Sequence, residues 1–285
     1  MLNSARHRLK QVLEAQLGDE VLASVDRLQA QLNGRQTDDF GFSPEQLKWV
    51  LPLSVFLYRY WFRVETVGLE NVPGGRALFV SNHSGQIPID GAMIGTALMV
   101  DAEPPRAPRS MIERWVPSLP YVSTFLARVG QVLGTPENCR RMLEQGASVI
   151  VFPEGSRGIS KTIHQAYQLQ TFGHGFMRLA LETRTPIVPV AVIGAEEQYP
   201  AIWNMTRLAK ALGMPAFPIV LNPFIPFVGL LPLPVKYRIY FGQPMLFEGD
   251  PEEDELQITK KVSQVREEID ALIQRGLEQR SGFFK

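Results

Sequence analysis

The sequence predicts an α/β fold: a mostly parallel central sheet flanked by helices, preceded by an N-terminal helical extension. From Val64 onward, short apolar runs alternate with stretches of helical periodicity. The runs are apolar almost throughout, as in strands whose two faces are both covered by helices, and the intervening helices would supply the crossovers of a parallel sheet. With 285 residues, the chain is long enough to bury a complete core.

Five apolar runs are predicted strands, and three stretches between them are predicted helices. The strands are Phe62 to Val67, Ala77 to Val80, Ser148 to Phe152, Ile187 to Val192 and Tyr237 to Phe241. The helices are Asp90 to Val100, Pro136 to Gln145 and Gly173 to Glu182. We therefore expect N-terminal helices in residues 1–63, an α/β domain in residues 64–250, and a C-terminal helix packed on it in residues 251–285.

The N-terminal extension contains two helical segments. From Ser4 to Leu32, apolar residues recur at steps of three and four, which predicts a helix with an interruption near Gly18. Residues 34–42 are polar and indicate a linker. Ser43 then fits an N-cap, with Pro44 at the first position of the second helix.

This second helix leaves two interpretations open. The residues from Leu47 to Arg63 are apolar on nearly every side, with aromatic residues and arginines toward one end. A helix of this kind is either buried in a core or lies at a membrane interface, where Trp, Tyr and Arg side chains reach the lipid headgroups. The sequence fits both.

A second apolar stretch runs from Ala216 to Pro234 without a charged residue. Its prolines exclude a helix or a central strand. Because an apolar loop is unfavourable in water, we expect these residues to contact a bilayer or an acyl chain rather than only the protein. The amphipathic segment from Pro251 to Arg280 is expected to be a helix docked on the outside of the domain.

Composition excludes several classes of function. The 29 basic and 29 acidic residues balance, so nothing favours nucleic acid as a partner. The single cysteine, Cys139, excludes an internal disulfide and a cysteine-built metal cluster, and its place in the first turn of a predicted helix favours a buried thiol over a nucleophile. The histidines are scattered without a carboxylate cluster, so no metal site is expected.

The N-terminal residues, Met1 to Lys10, lack the continuous apolar core of a signal peptide. No uncharged apolar stretch reaches the length of about 18 residues at which a membrane-spanning helix is expected. We therefore expect a cytoplasmic protein that is attached peripherally to a membrane.

One histidine and one aspartate follow the strand predicted at Ala77 to Val80. They are His83 and Asp90, separated by a segment that contains Gly85 and Pro88. Histidine acts as a general base near neutral pH when a carboxylate fixes its tautomer and orientation. Taken alone, however, the two residues fit better a histidine at a turn and an aspartate that caps the next helix.

The strand predicted at Ser148 to Phe152 also ends in polar residues. They are Glu154, Gly155, Ser156 and Arg157, with Lys161 close by. Glycines let backbone N–H groups converge on an anion, and a guanidinium binds phosphate through two hydrogen bonds. In isolation, this motif would be interpreted as a charged turn.

A third strand, predicted at Ile187 to Val192, is followed by Glu196 and Glu197. The carboxyl ends of parallel strands lie at one edge of a sheet, so these glutamates are expected at the same rim as the other two groups. They either contact a substrate or are solvated.

Together, these residues resemble the glycerolipid acyltransferase superfamily, which includes the lysophosphatidate and glycerol-3-phosphate acyltransferases. Asn82-His83…Asp90 is similar to its first sequence block, Phe152 to Arg157 to its third, and Ile187 to Val190 to its fourth. The resemblance covers roughly Val64 to Met245, and the third block is its most specific part.

The sequence departs from that family in two places. Six residues separate His83 from Asp90, where the family usually has four. The stretch from Gly130 to Pro136, which corresponds to the second block, lacks the arginine that usually helps to bind phosphate. Arg140 or Arg141 could replace it from the next helix turn. The missing charge weakens the case for lysophosphatidate and favours a neutral or differently charged acceptor.

The resemblance implies an O-acyltransferase without a covalent acyl-enzyme. His83 would deprotonate an acceptor hydroxyl, oriented by Asp90, and the hydroxyl would attack an acyl thioester of coenzyme A or acyl carrier protein. The acceptor would be a glycerolipid, either lysophosphatidate-like or neutral, at a membrane surface. Its phosphate or headgroup would be bound by Glu154, Gly155, Ser156 and Arg157, with Asn82, Lys161 and Glu196 as further candidates.

No permanently bound cofactor is implied by this resemblance. Two other functions remain open: a non-catalytic lipid-binding protein of the same fold, and an acyl-thioester hydrolase that uses water at the same base.

Overall fold

The computed structural model describes residues 18–84, 88–112, 122–205, 208–209, 217–224, 229, 231–282 and 284. Three predicted segments therefore lie partly outside the described residues: the first helix (residues 1–17), the loop before Asp90 (residues 85–87) and the apolar stretch after Ala216 (residues 216, 225–228 and 230). The described residues form an α/β fold, as the sequence predicts.

The strands are β1 (Glu65–Val67), β2 (Ala77–Ser81), β3 (Arg109–Ile112), β4 (Gln131–Leu133), β5 (Ser148–Val151), β6 (Ile187–Ile193), β7 (Ala201–Asn204), β8 (Pro218–Val220) and β9 (Arg238–Phe241). Among the described residues, seven of them form one sheet in the order β1-β9-β6-β2-β5-β3-β4. Neighbours in this sheet are parallel except for β6 and β9, and β7 pairs with β8 in a separate antiparallel ladder. Strand β2 is therefore central, between β6 and β5.

The helices are α1 (residues 18–30), α2 (Pro44–Phe56), α3 (Ile89–Val100), α4 (Val122–Arg128), α5 (Pro136–Glu144), α6 (Ser156–Ile159), α7 (Gly175–Thr183), α8 (Ala195–Gln198) and α9 (Glu255–Gln279). A π-helical turn, Leu57–Trp61, continues α2, and short 3₁₀ turns lie at Leu69–Asn71, Ile163–Gln165 and Asn222–Phe224.

A separate hydrophobic core packs on each face of the sheet. Leu78 and Val80 of β2 point to a cluster with α5, α7 and α9. Ala77 and Phe79 point to the other face, where α3 and the π-helical turn pack. Because side chains alternate along a strand, an apolar run such as β2 can serve both cores at once.

The predicted strands and helices are present with shifted ends, and some elements differ. Phe62 caps the π-helical turn instead of starting a strand, and β1 begins at Glu65. Strands β3 and β4 were not predicted. Within the stretch from Ala216 to Pro234, Pro218–Val220 forms β8 rather than a loop, which its prolines allow because β8 lies outside the central sheet.

Helix α2 has one buried face and one exposed apolar face. Ser43 is its N-cap, without a side-chain hydrogen bond, and Pro44 is in the first turn. Leu51 is buried, whereas Trp49 and Leu53 are 81% and 64% exposed. One face therefore belongs to the core, and the other is an exposed apolar surface.

Helix α9 docks on the domain through an apolar stripe, as predicted. In the part of the chain that the structure describes, no helix has the length and apolar character needed to cross a membrane.

Candidate active site

The polar residues identified from the sequence lie at one edge of the sheet. Strands β5 and β6 both pair with β2 in parallel, so the chain leaves the three strands at neighbouring points. His83 follows β2, Glu154 follows β5 and Glu196 follows β6. Three groups that are distant in sequence are therefore adjacent, as the strand order requires.

His83 and Asp90 form a hydrogen-bonded pair, with Nδ1 of the imidazole 2.7 Å from Oδ2 of the carboxylate. Asp90 is fully buried in the first turn of α3, and it also accepts the backbone N–H groups of Ser84 (2.9 Å) and Gly91 (2.8 Å). An ionised carboxylate can only accept hydrogen bonds, so Nδ1 carries the proton and a neutral imidazole has its lone pair on Nε2. Asp90 thus binds a backbone N–H at the start of a helix and orients the imidazole as well.

Packing fixes the plane of the imidazole. The His83 side chain is 12% exposed and stacks on the ring of Phe152, with centroids 4.2 Å apart and an interplanar angle of 23°. Gly158 lies against the same residue, where an added Cβ would be 2.8 Å from the Cβ of His83. A side chain at position 158 would therefore displace His83.

Glu154 binds the protein backbone with both carboxylate oxygens. Oε1 accepts the backbone N–H of His83 (2.8 Å), and Oε2 accepts the backbone N–H of Gln170 (2.8 Å). The residue is 1% exposed. These contacts connect the end of β5 directly to His83, a relationship that the sequence did not indicate.

Lys161 and Glu196 form a buried ion pair next to Glu154. Nζ of Lys161 lies 2.7 Å from Oε1 of Glu196 and 3.6 Å from Oε2 of Glu154. Burial raises the pKa of Glu196 to about 7, although the ammonium and the N–H of Tyr167 act in the opposite direction. Lys161 is therefore engaged by carboxylates inside the protein rather than exposed at the rim.

Glu197 is also buried, in a second polar cluster behind this pair. It accepts hydrogen bonds from the hydroxyl of Tyr167 (2.5 Å) and from Nη1 of Arg280 (2.6 Å). The Tyr167 hydroxyl in turn accepts the N–H of Gly194 (2.9 Å). The expectation that Glu196 and Glu197 are otherwise solvated is wrong, because each is 7% exposed.

The remaining residues of the third block form a short turn beside His83. Gly155 has a positive φ of 56°, which L side chains rarely adopt, and the single-turn helix α6 begins at Ser156. Arg157 is exposed and has no ion-pair partner among the described residues. Its guanidinium is therefore available to an anion.

The side chain of Asn82 holds two segments of the backbone together. It is fully buried, and its amide bonds to both backbone groups of Val192, accepting the N–H (2.8 Å) and donating to the C=O (3.0 Å). The side chain thereby extends the pairing of β2 with β6 by one step and holds the start of the His83 loop against β6.

Arg140 and Arg141, the two candidates to replace the missing arginine of the second block, contact other parts of the protein and not the site residues. Arg140 forms an ion pair with Glu182 of α7 (3.0 Å), and the guanidinium of Arg141 lies over the ring of Phe40 (5.3 Å). Cys139 is buried as predicted, and burial raises the pKa of its thiol to about 11. Within the described ranges, no three His, Cys, Asp or Glu side chains come together as metal ligands would.

The chain is similar to several known proteins. A family model described as "Acyltransferase" matches residues 63–193. The uncharacterised protein Rv0502 of Mycobacterium tuberculosis is 37% identical over 276 residues, which cover 94% of this chain and 77% of that protein. The mouse (Mus musculus) protein named "DGAT1/2-independent enzyme synthesizing storage lipids" is 26% identical over 69% of this chain and 56% of its own length.

A solved structure shares the fold. It is the 1-acyl-sn-glycerophosphate (LPA) acyltransferase PlsC of Thermotoga maritima, which superposes with a TM-score of 0.53 at 18% identity and covers 83% of each chain.

Proposed function

Since the chain belongs to the acyltransferase family, within the glycerolipid acyltransferase superfamily, we propose that it transfers a fatty acyl group from an acyl thioester to a hydroxyl group of a glycerolipid. The observation that supports this most strongly is the His83–Asp90 pair at 2.7 Å, directly beside the Glu154 to Arg157 turn. An oriented imidazole at a strand end is suited to activating a hydroxyl.

The proposed reaction is a direct transfer. Nε2 of His83 accepts the proton of the acceptor hydroxyl as its oxygen attacks the thioester carbonyl carbon. The resulting tetrahedral intermediate collapses, the C–S bond breaks, and the thiolate takes the proton from the imidazolium, which Asp90 stabilises throughout. The products are an ester and a free thiol.

The donor in this proposal is acyl-coenzyme A or acyl-acyl carrier protein. In both cases the carrier leaves as a thiol. Because the acceptor hydroxyl attacks the thioester directly, the reaction needs no nucleophile from the enzyme. The buried Cys139, with its raised pKa, supports a mechanism without an acyl-cysteine.

We propose a neutral glycerolipid as the preferred acceptor. Lys161 is held by two carboxylates, so Arg157 is the one exposed cation of the third block in the described structure. The second block lacks its usual arginine, and the mouse relative is named for synthesising storage lipids. A phosphomonoester is ordinarily bound by several charge-assisted hydrogen bonds, which this turn does not offer.

Two exposed apolar surfaces support attachment to a membrane. The first is the outer face of α2, with Trp49 81% and Leu53 64% exposed. The second is the β7–β8 ladder and the turn that follows it, with Trp203 66% and Phe224 74% exposed. The side chain of Trp61, in the π-helical turn that continues α2, donates to the carbonyl of Pro232 (3.2 Å), which follows the turn at Asn222–Phe224 in the chain.

Vesicle binding tests this attachment. Trp49→Ser and Trp203→Ser should each weaken co-sedimentation with phosphatidylcholine vesicles by about tenfold, since each removes a large apolar side chain from the proposed contact. Leu256→Ser is the matched control, because Leu256 on α9 is 62% exposed but belongs to neither surface. Equal losses in all three variants would contradict the proposed surfaces.

The acyl transfer itself is tested with the purified chain, acyl-coenzyme A or acyl-acyl carrier protein, and a panel of acceptors: monoacylglycerol, diacylglycerol and lysophosphatidate. We expect thiol release to match ester formation, measured by lipid mass spectrometry, and to be fastest with a neutral acceptor. Preference for lysophosphatidate would overturn the acceptor assignment alone. Free fatty acid without ester would identify a hydrolase, and lipid binding without thiol release a non-catalytic protein.

A further inference from the structure

A lysine ammonium group lies inside the protein between two carboxylates. The side chain of Lys161 is 2% exposed, that of Glu196 4%, and that of Glu154 is fully buried. The trio carries two potential negative charges and one positive charge, in a region from which solvent is excluded. Removing charges from water is unfavourable, so a buried pair contributes little to stability compared with apolar residues of the same volume. A role in function is therefore the better explanation for these residues.

The trio is connected to the base through one hydrogen bond. Oε1 of Glu154 accepts the backbone N–H of His83, while Oε2 lies 3.6 Å from the Lys161 ammonium. The ammonium thus lies against the carboxylate of Glu154, and that carboxylate binds the backbone N–H of His83, whose side chain is the proposed general base.

Glu196 anchors the lysine and the loop that carries it. Its Oε1 accepts both the Lys161 ammonium (2.7 Å) and the backbone N–H of Tyr167 (3.2 Å). Glu196 is in α8, which follows β6, whereas Lys161 is in the loop between α6 and α7. The pair therefore ties this loop to the end of β6, next to the strand that carries His83.

We propose that Lys161 and Glu196 are positioning residues for the acyl transfer, acting through Glu154 on the backbone of His83 and not by contact with the acceptor. The proposal rests on the proposed function, in which His83 is the base. Their burial separates this role from acceptor binding, which requires groups that a lipid can reach.

The test uses the full chain and the double variant Lys161→Met/Glu196→Gln. This variant removes both members of the closer ion pair together, so that Glu196 is not left as a buried negative charge, as Lys161→Met alone would leave it. The carboxylate of Glu154 remains and keeps its two backbone hydrogen bonds. We expect kcat to fall by about 10- to 100-fold, because a displaced base is far less effective, while the acceptor KM stays within about twofold. Lys260→Met, at an exposed position of α9, is the matched control and should leave both constants unchanged.

A second measurement does not depend on activity. With ¹⁵N-histidine labelling, the four histidines give four backbone amide signals, and His83→Ala assigns the one of interest. We expect hydrogen exchange at the His83 amide to be at least about tenfold faster in the folded double variant than in the native chain.

An unchanged exchange rate, an unchanged kcat, or a rise in acceptor KM alone would overturn the positioning role. The absence of any transfer by the native chain would instead contradict the proposed function, and the exchange rate would still report on the coupling.

Discussion

The imidazole of His83 and the carboxylate of Asp90 meet at 2.7 Å although six residues lie between them. Asp90 is in the first turn of α3, and the oxygen that contacts the imidazole also accepts the N–H of Ser84. This second bond draws the start of the loop back to the helix. The longer spacing therefore does not separate the pair.

Replacing Asp90 with asparagine should reduce kcat by about 100- to 10,000-fold, because an amide neither stabilises the imidazolium nor selects the tautomer with its lone pair on Nε2. The measurement is thiol release under saturating donor and acceptor. Asp270→Asn, at an exposed position of α9, is the control and should be fully active. A D90N enzyme with native turnover would show that the pair is structural.

Gly158→Ala should reduce activity by about 10- to 100-fold without unfolding the protein. The new methyl group would meet the Cβ of His83 at 2.8 Å and its carbonyl oxygen at 3.0 Å, so the base must move. Gly175→Ala is the matched control, since an added Cβ there meets nothing within 4 Å. Kinetics and circular dichroism of both variants test this, and equal activity of the two would mean that the contact with His83 does not matter.

The sequence predicted the central strands well because they have a simple physical signature. Strands β2 and β6 are buried on both faces, so their residues are apolar throughout. Strand β3 begins with Arg109, whose charge argues against a buried strand in isolation. The residue is nevertheless 6% exposed, because its guanidinium pairs with Asp38 (2.5 Å), which is distant in the sequence. An ion pair between residues this far apart in the sequence can be recognised only once the fold is known.

The same limit applies to the site. The motif residues were found from their types and spacing, but the contacts of Lys161 and Glu154 were not. In the sequence, Lys161 follows a glycine-containing turn, which is typical of a surface lysine that can bind phosphate. Its partner Glu196 comes close only because β6 pairs with β2, and strand order was not part of the sequence pattern.

The raised pKa of Glu196 predicts how its contribution to stability depends on pH. Its folded value is about 7 and its ordinary value is 4.5, so between these pH values the folded chain keeps a proton that the unfolded chain has released. The stability of the native protein relative to Glu196→Gln should therefore decline as pH rises through this window, by about 1.4 kcal/mol per pH unit and on the order of 3 kcal/mol in all.

Urea unfolding of both proteins between pH 4.5 and 8 provides the measurement for this prediction. A difference in unfolding free energy that stays constant, or that increases with pH, would contradict a pKa of Glu196 that burial raises above its ordinary value.

Cys139 should be dispensable for acyl transfer. Its thiol is buried, with a pKa of about 11, so little thiolate is present near neutral pH. Cys139→Ala should retain activity within about twofold, and iodoacetamide should modify the native chain far more slowly than the urea-unfolded chain. An acyl-cysteine adduct detected by mass spectrometry during turnover would refute the direct mechanism.

The most direct test of the central claim is the rate of acyl transfer after His83→Ala, measured as ester product from acyl-coenzyme A and a glycerolipid acceptor. We expect a loss of at least about 100-fold in a variant that stays folded, because the variant removes the proposed base and leaves the backbone hydrogen bonds of Asp90 in place. His164→Ala, at an exposed histidine, serves as the control and should match the native chain. Native rates of ester formation by folded His83→Ala would contradict the assignment of this histidine as the base.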